Sequence, residues 1–480
     1  MAIALLSFAL PLLMAAAAVA VPGNRLRPWL LPVTAAAHLA LTALALARPA
    51  LAAGAAPWLL LDPPGKVVLL VISTLFCLCS FYTVGYLHYR QERPNRIFCG
   101  CLLAFLGAMS LVAWAHHLGL MWVGIETTTL ATAPLIYFNH TRRSIEATWK
   151  YLLVGSVGIA LALLGTFFLA YAALHAGLES SLTYGTLVAQ APQLSKPWLH
   201  AAFVLLLVGY GTKMGLAPMH TWKPDAYGEA PGVVGAMLAG GITSCAFLAI
   251  LRIHHVCTAA GEGAYTSRLL LFMGVLSMAV AAIFMVGQRD YKRLLAYSSV
   301  EHMGILVLGL GIGGPALFGT MFHVVANGLA KGVLFLAAGN IHRAYGSKST
   351  DEVSGAMRRL PLSGALFLAG FLAITGSPPF APFISEFAIL NGAFATGRFL
   401  IGGIFLFLLL AIFVGMGATV LKVVQGRAPA AARKTPYRDG LLTGAPVAAL
   451  MALVLALGLH IPAPLAALLT DAARFLEAQP

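Results

Sequence analysis

The stretch "GTKMGLAPMHTWKPDAYGEAP", Gly211 to Pro231, follows "LHAAFVLLLVGY", an apolar run suited to the interior of a membrane. Lys213 therefore sits in hydrocarbon, ahead of Pro218, His220, Lys223, Asp225 and Glu229. An unpaired charge at the bilayer centre costs about 2.5–3.5 kcal/mol on insertion scales, so such residues are kept for a purpose. Pro218 lacks an amide hydrogen and clashes with the carbonyl four residues back, so the helix opens there. Irregular backbone at membrane depth survives where it is buried in protein or lines a wet cavity. Lys213 falls in the last turn before the break, where the negative end of a helix dipole favours a cation.

The rest of the chain fits that reading. Of 480 residues, 60% are hydrophobic and 10% charged, and the mean hydropathy is +0.88. Soluble domains carry about 25% charge, so this is a polytopic, all-α membrane protein. Periodicity and length give about fourteen spans. They fall at 2–21, 29–47, 66–87, 98–115, 117–138, 150–173, 200–217, 230–251, 268–287, 295–312, 315–341, 360–395, 400–422 and 441–460. The first lacks a basic n-region and reads as a retained helix, not a cleaved signal peptide.

The formal charge of +14 comes from residues scattered through short loops, with no arm or stripe suited to nucleic acid. Loops after odd-numbered spans hold the arginines and lysines, which places them in the cytoplasm and both termini outside. The tail from Pro464 is helically periodic and fits a position along the interface. The six cysteines, including Cys77, Cys79, Cys99 and Cys101, lack metal-site spacing and read as buried thiols. "GLGIGG" matches a nucleotide fingerprint but follows no strand and reads as a turn. No cofactor, metal or redox centre is expected in this chain.

A second break, "GSPPFAP", lies five spans after the first. Paired broken helices point to an inverted-repeat transporter site. The expected organisation is 1–95 (spans one to three), 96–255 (first five-helix repeat), 256–425 (second repeat) and 426–480 (last span and tail). Glu386, in "FISEF", is expected in the first turn after the second break, at a positive dipole end. Glu126 is the lone charge of its span and the natural partner of Lys213. His323, Asn327 and Lys331 stand four residues apart, on one helix face. His302 either extends that stripe or is a satisfied core histidine. Interhelical hydrogen-bond glue is the competing account of the stripe. Secondary candidates are His220, Lys223, Asp225, Glu229, Asn327 and Lys150. Burial disfavours a charged amine and a neighbouring carboxylate favours it, so a Lys–Glu pair can load and release a proton when a conformational change moves its partner.

These residues resemble the antiporter-like membrane subunits related to respiratory complex I and to Mrp cation/proton antiporters. The stretches that carry the resemblance are "GTKMGLAPMHTW", "LLAYSSVEHMG", "KGVLFLAAGNI" and "TGSPPFAPFISEF". With "WVGIETTTLATAPLIYF" and "IEATWKYLLVGSVGIALALLGTFFLAY", the likeness extends to the F component of hydrogenase-4 and its formate hydrogenlyase relatives, over about residues 60 to 420. The resemblance implies fourteen helices, two inverted repeats and proton channels on a central hydrated axis. It implies Glu126 and Lys213 as the glutamate–lysine pair, Lys331 as the central lysine and Glu386 as the terminal residue. It also implies partner membrane and peripheral subunits that hold NiFe or Fe–S centres. Relatives often carry a histidine or lysine on helix eight, where this chain has Thr243, Ser244 and Cys245. Lys223 stands where relatives read leucine; a loop lysine at the membrane surface is the favoured reading, a substitute carrier the other. A proton-translocating subunit of a hydrogenase-like or complex I-like oxidoreductase in a prokaryotic cytoplasmic membrane is therefore expected. A sodium/proton antiporter subunit of Mrp type and a non-pumping scaffold remain as alternatives.

Overall fold

The computed structural model describes residues 2–48, 57–427 and 435–477. Residues 428–434 of the basic loop before the last span, and the last residues of the tail, lie outside the described residues. Helices account for nearly all of the described chain, and isolated bridges are the only β pairing among the described residues. The main helices are α1 (Ala2–Ala20), α2 (Leu30–Ala47), α3 (Pro63–His88), α4 (Arg96–Trp114), α5 (Leu118–Ile136) and α6 (Arg142–His175). They continue with α7 (Lys196–Met214), α8 (Trp222–Glu229), α9 (Gly232–Ala259), α10 (Gly263–Met285), α11 (Tyr291–Ile312) and α12 (Ala316–Tyr345). The remainder are α13 (Pro361–Ile374), α14 (Ala381–Ala395), α15 (Phe399–Val424), α16 (Leu441–Leu459) and α17 (Ala463–Glu477). Eleven helices among the described residues are long and apolar enough to cross a membrane.

Burial sorts these helices into layers. The apolar windows of α9 and α12 are wholly buried and that of α11 is 94% buried, whereas those of α1 and α15 are 33% buried. The outer helices keep large apolar side chains such as Phe407 and Leu410 exposed, as lipid contact requires. Lipid tails are as apolar as leucine, so helices associate through small residues that let backbones approach. The α6–α7 seam shows this. A Cβ at Gly158 would lie 2.6 Å from Thr212, and one at Gly209 would lie 2.6 Å from the Ala162 nitrogen. Helix α6 starts earlier than the expected span because Thr141 and Ser144 bond each other's backbone nitrogens in a capping box.

Both expected breaks are present. Helix α7 ends in the left-handed Gly215 (φ 79°), and α8 restarts at Trp222. The second break runs from Thr375 to Phe380, through Gly376 (φ 67°), and α14 restarts at Ala381. Each holds one cis X–Pro bond, before Pro218 and before Pro379. Within α9, residues Leu238–Ile242 form a π turn, where Gly240 approaches Gly328 of α12. The amphipathic α17 packs on α3 and α12.

Candidate functional site

Lys213 lies in the last turn of α7 with its side chain 1% exposed. It donates to Thr129 Oγ1 at 2.5 Å and reaches Glu126 Oε2 at 3.2 Å, both on α5. Glu126 is 22% exposed, so the pair is buried on one side only. Gly155 of α6 leaves the amine its space, since a Cβ there would lie 2.9 Å from Lys213 Nζ. The expected pairing of Glu126 with Lys213 is therefore a contact in the structure.

A second cluster fills the core between α11, α12 and α14. Lys331 donates to Ser298 Oγ at 2.6 Å, and Ser298 donates to Glu301 Oε2 at 3.3 Å. Glu301 lies 3.7 Å from His302 Nε2. His302 Nδ1 and His323 Nε2 share a hydrogen bond of 3.0 Å, and His323 Nδ1 meets Ser385 Oγ at 2.9 Å. Glu386 Oε1 lies 4.0 Å from His302 Nδ1. All of these side chains are buried. Asn327 is buried on the same face of α12, with its Oδ1 unpartnered.

Two sequence expectations need correction. Lys223 is not a loop lysine at the surface. It is fully buried, because the break folds α8 back against α6 and α11. Its Nζ donates to Ser299 Oγ at 3.0 Å and lies 5.6 Å from the Tyr227 ring. Glu386 is not in the first turn of α14 but its sixth residue, beyond the reach of the dipole effect. Its carboxylate instead occupies the room left by Gly376, where any Cβ would overlap Oε2. Lys150, Asp225 and Glu229 lie outside the buried clusters. Asp225 pairs with Lys150 at 2.9 Å and with Arg293, and Glu229 pairs with Lys348 at 2.6 Å. These pairs tie the ends of α6 and α8 to α11 and the segment after α12. His220 stays at the break, largely buried, beside Phe284 and Tyr297.

Sequence reasoning misses Glu301, although it is an acid inside a membrane-spanning helix, directly beside His302. It also misses the pair between Arg252 of α9 and Asp62, the N-cap of α3. Arg252 donates twice to that carboxylate, at 2.8 and 3.0 Å, and also to the Ala113 and Ala115 carbonyls. Asp62 followed by two prolines is a helix-start signal that marks the position. His302, His323 and Glu386 offer ligand atoms within 4.8 Å of one another, the arrangement closest to a metal site among the described residues. The hydrogen bond between the two rings occupies a lone pair that a metal would need.

The comparisons agree with this architecture. Residues 115–415 match the family model described as NADH:quinone oxidoreductase/Mrp antiporter, TM. The chain is 37% identical over 383 residues to a hydrogenase-4 component F homolog of Methylacidiphilum infernorum, covering 76% of this chain and 79% of that one. It is 33% identical over 348 residues to NADH-quinone oxidoreductase subunit N of Desulforudis audaxviator, covering 71% and 68%. A chain in the structure of the Mrp complex from Dietzia sp. DQ12-45-1b superposes with a TM-score of 0.86 at 22% identity, over 99% and 98% of the two chains, and so shares the fold. With its two broken helices and buried ionisable clusters, the chain belongs to the NADH:quinone oxidoreductase/Mrp antiporter transmembrane family.

Proposed function

We propose that this chain is a proton-translocating subunit of a hydrogenase-like or complex I-like membrane oxidoreductase. The observation that carries the reading is the series Lys331, Ser298, Glu301, His302, His323 and Glu386. Lys331, Ser298, Glu301 and His302 follow one another within hydrogen-bond or ion-pair distance, and His302 then meets both His323 and Glu386, all buried between α11, α12 and α14. Interhelical glue needs hydroxyls and amides; it does not need two acids, two histidines and a lysine at once. The Lys213–Glu126 pair loads a proton at the first break, and the second cluster passes it to Glu386 at the second. Movement of Glu126 relative to Lys213 is the switch, since an amine releases its proton more readily without its carboxylate.

In this reading the chain has fourteen spans, the eleven long apolar helices together with α5, α7 and the α13–α14 pair. Residues 96–255 and 256–425 form inverted repeats. The arginine and lysine distribution supports cytoplasmic odd-to-even loops and outward termini. Redox chemistry, and any NiFe or Fe–S centre, belongs to partner subunits, as the names of the relatives suggest.

The test is proton translocation by the assembled complex, purified with its native partners and reconstituted in sealed vesicles. Glu126→Gln and Lys213→Ala are expected to leave electron transfer running while the proton-to-electron ratio falls. An unchanged ratio in both variants removes the paired site and leaves a scaffold. Transport that depends on sodium would instead favour the Mrp-type exchanger.

A further inference from the structure

We propose that Lys223 is the proton carrier that joins the two clusters. This inference rests on the function proposed above and assigns it a residue on α8.

The two clusters meet across a gap. Helix α9 is wholly buried between the halves, yet at the level of its π turn it offers no titratable group apart from the thiol of Cys245. The Thr243 and Ser244 hydroxyls are turned back to the Ala239 and Gly240 carbonyls, each at 2.7 Å. Lys223 fills the gap from another direction. Its amine donates to Ser299 Oγ, and the neighbouring Ser298 Oγ accepts from Lys331. The two lysines thus hang from adjacent hydroxyls of one helix. On the other side, Lys223 lies against Gly215, the residue that ends the helix carrying Lys213. Gly215 is required twice there. Its φ of 79° suits glycine, and any Cβ would overlap the Lys223 side chain.

A structural role for this lysine is poorly supported. None of the ion pairs among the described residues includes Lys223, and its neighbours are a hydroxyl, a carbonyl and an aromatic ring. An uncompensated buried amine costs folding energy, and a neutral side chain would serve packing better. As a carrier its geometry makes sense. The Lys223 amine takes a proton released from Lys213, holds it beside Ser299, and releases it toward the second cluster, whose Lys331 is bound one residue along α11 at Ser298. Each amine accepts one proton and releases one, so a single proton moves and no bond other than N–H changes. The two lysine amines, held at adjacent serines, repel each other when both are charged, so a proton arriving at one lysine helps to drive one off the other.

The experiment uses the reconstituted complex, with proton uptake followed by a ΔpH-sensitive acridine dye and electron transfer measured in parallel. Lys223→Met is expected to retain assembly and lower the proton-to-electron ratio at least twofold. Lys223→His, which restores a titratable group, is expected to recover part of the loss. Lys223→Gln keeps donors to Ser299 but carries no proton, and it serves if Lys223→Met does not assemble. A wild-type ratio in Lys223→Met, or in Lys223→Gln, overturns the proposal. If Lys213→Ala has meanwhile lost pumping, the proposed function stands and only the Lys223 assignment falls. If both variants pump normally, both readings fall.

Discussion

Gly155→Ala places a methyl group against the amine of Lys213 without removing any charged group. The new Cβ would lie 2.9 Å from Nζ, about 0.6 Å inside a comfortable contact of roughly 3.5 Å. The next neighbours, Thr129 Cγ2 at 3.7 Å and Lys213 Cε at 3.8 Å, are unaffected. Only the tip of a flexible side chain must yield. Replacing glycine by alanine inside a helix gains up to about 1 kcal/mol, and weakening one charge-assisted hydrogen bond costs about 1.5–3 kcal/mol. Net stability therefore falls by roughly 0.5–3 kcal/mol. The displaced amine loses its fit to Thr129 and Glu126, and 1.5–3 kcal/mol corresponds to about ten- to hundredfold in any step through that site. Gly158, one turn along α6, is the built-in control. Its Cβ would strike Thr212 Cβ at 2.6 Å, where the helix itself must move. Proton translocation and complex content are measured side by side in sealed vesicles. Gly155→Ala is expected to keep complex content near wild type and lose at least tenfold in proton flux, whereas Gly158→Ala loses complex content. Wild-type flux from Gly155→Ala would refute the claim that the position of Lys213 governs loading.

Three further outcomes follow from the geometry. Glu301→Gln keeps the shape of the link between Ser298 and His302 but removes its proton-carrying group, so proton flux should fall at least tenfold with assembly intact; normal flux would take Glu301 out of the series. Asp62→Ala leaves Arg252 buried without its carboxylate, which costs about 3–5 kcal/mol, so the melting temperature of the complex should drop while flux per intact complex holds. In the loop between α9 and α10, the Glu262 carboxyl is held below its usual value of 4.5 by Lys196 and His200 at the start of α7. A depressed carboxyl stabilises the fold above that value and loses the effect as pH falls through its folded value. Glu262→Gln should therefore melt earlier than wild type near pH 6, and the difference should shrink as the pH falls below 4.5; a difference that stays constant as the pH falls would exclude the ion pair as the cause.

Hydropathy and length alone placed helices at each of the expected segments, because a bilayer requires long apolar runs with internally bonded backbone. Pro218 and the Pro378–Pro379 pair marked both breaks for the same local reason. Glu126, Lys213, Lys331 and His323 were legible because each is a polar residue in an apolar run. Their neighbours across helices were not. The reading of Lys223 as a surface lysine failed because distance along the chain from a span says nothing about a segment that folds back into the bundle. Glu386 was assigned to a helix dipole because the restart of α14 at Ala381 depends on how the chain leaves Gly376. Glu301 was overlooked because its importance lies in what it touches, Ser298 and His302, and not in its spacing. The amino-acid sequence by itself determined a polytopic helical membrane protein with two broken helices and the ionisable residues it holds at depth. Tertiary structure alone decided which of those residues meet, since hydrogen bonds act over about 3 Å and the partners come from helices far apart in the chain.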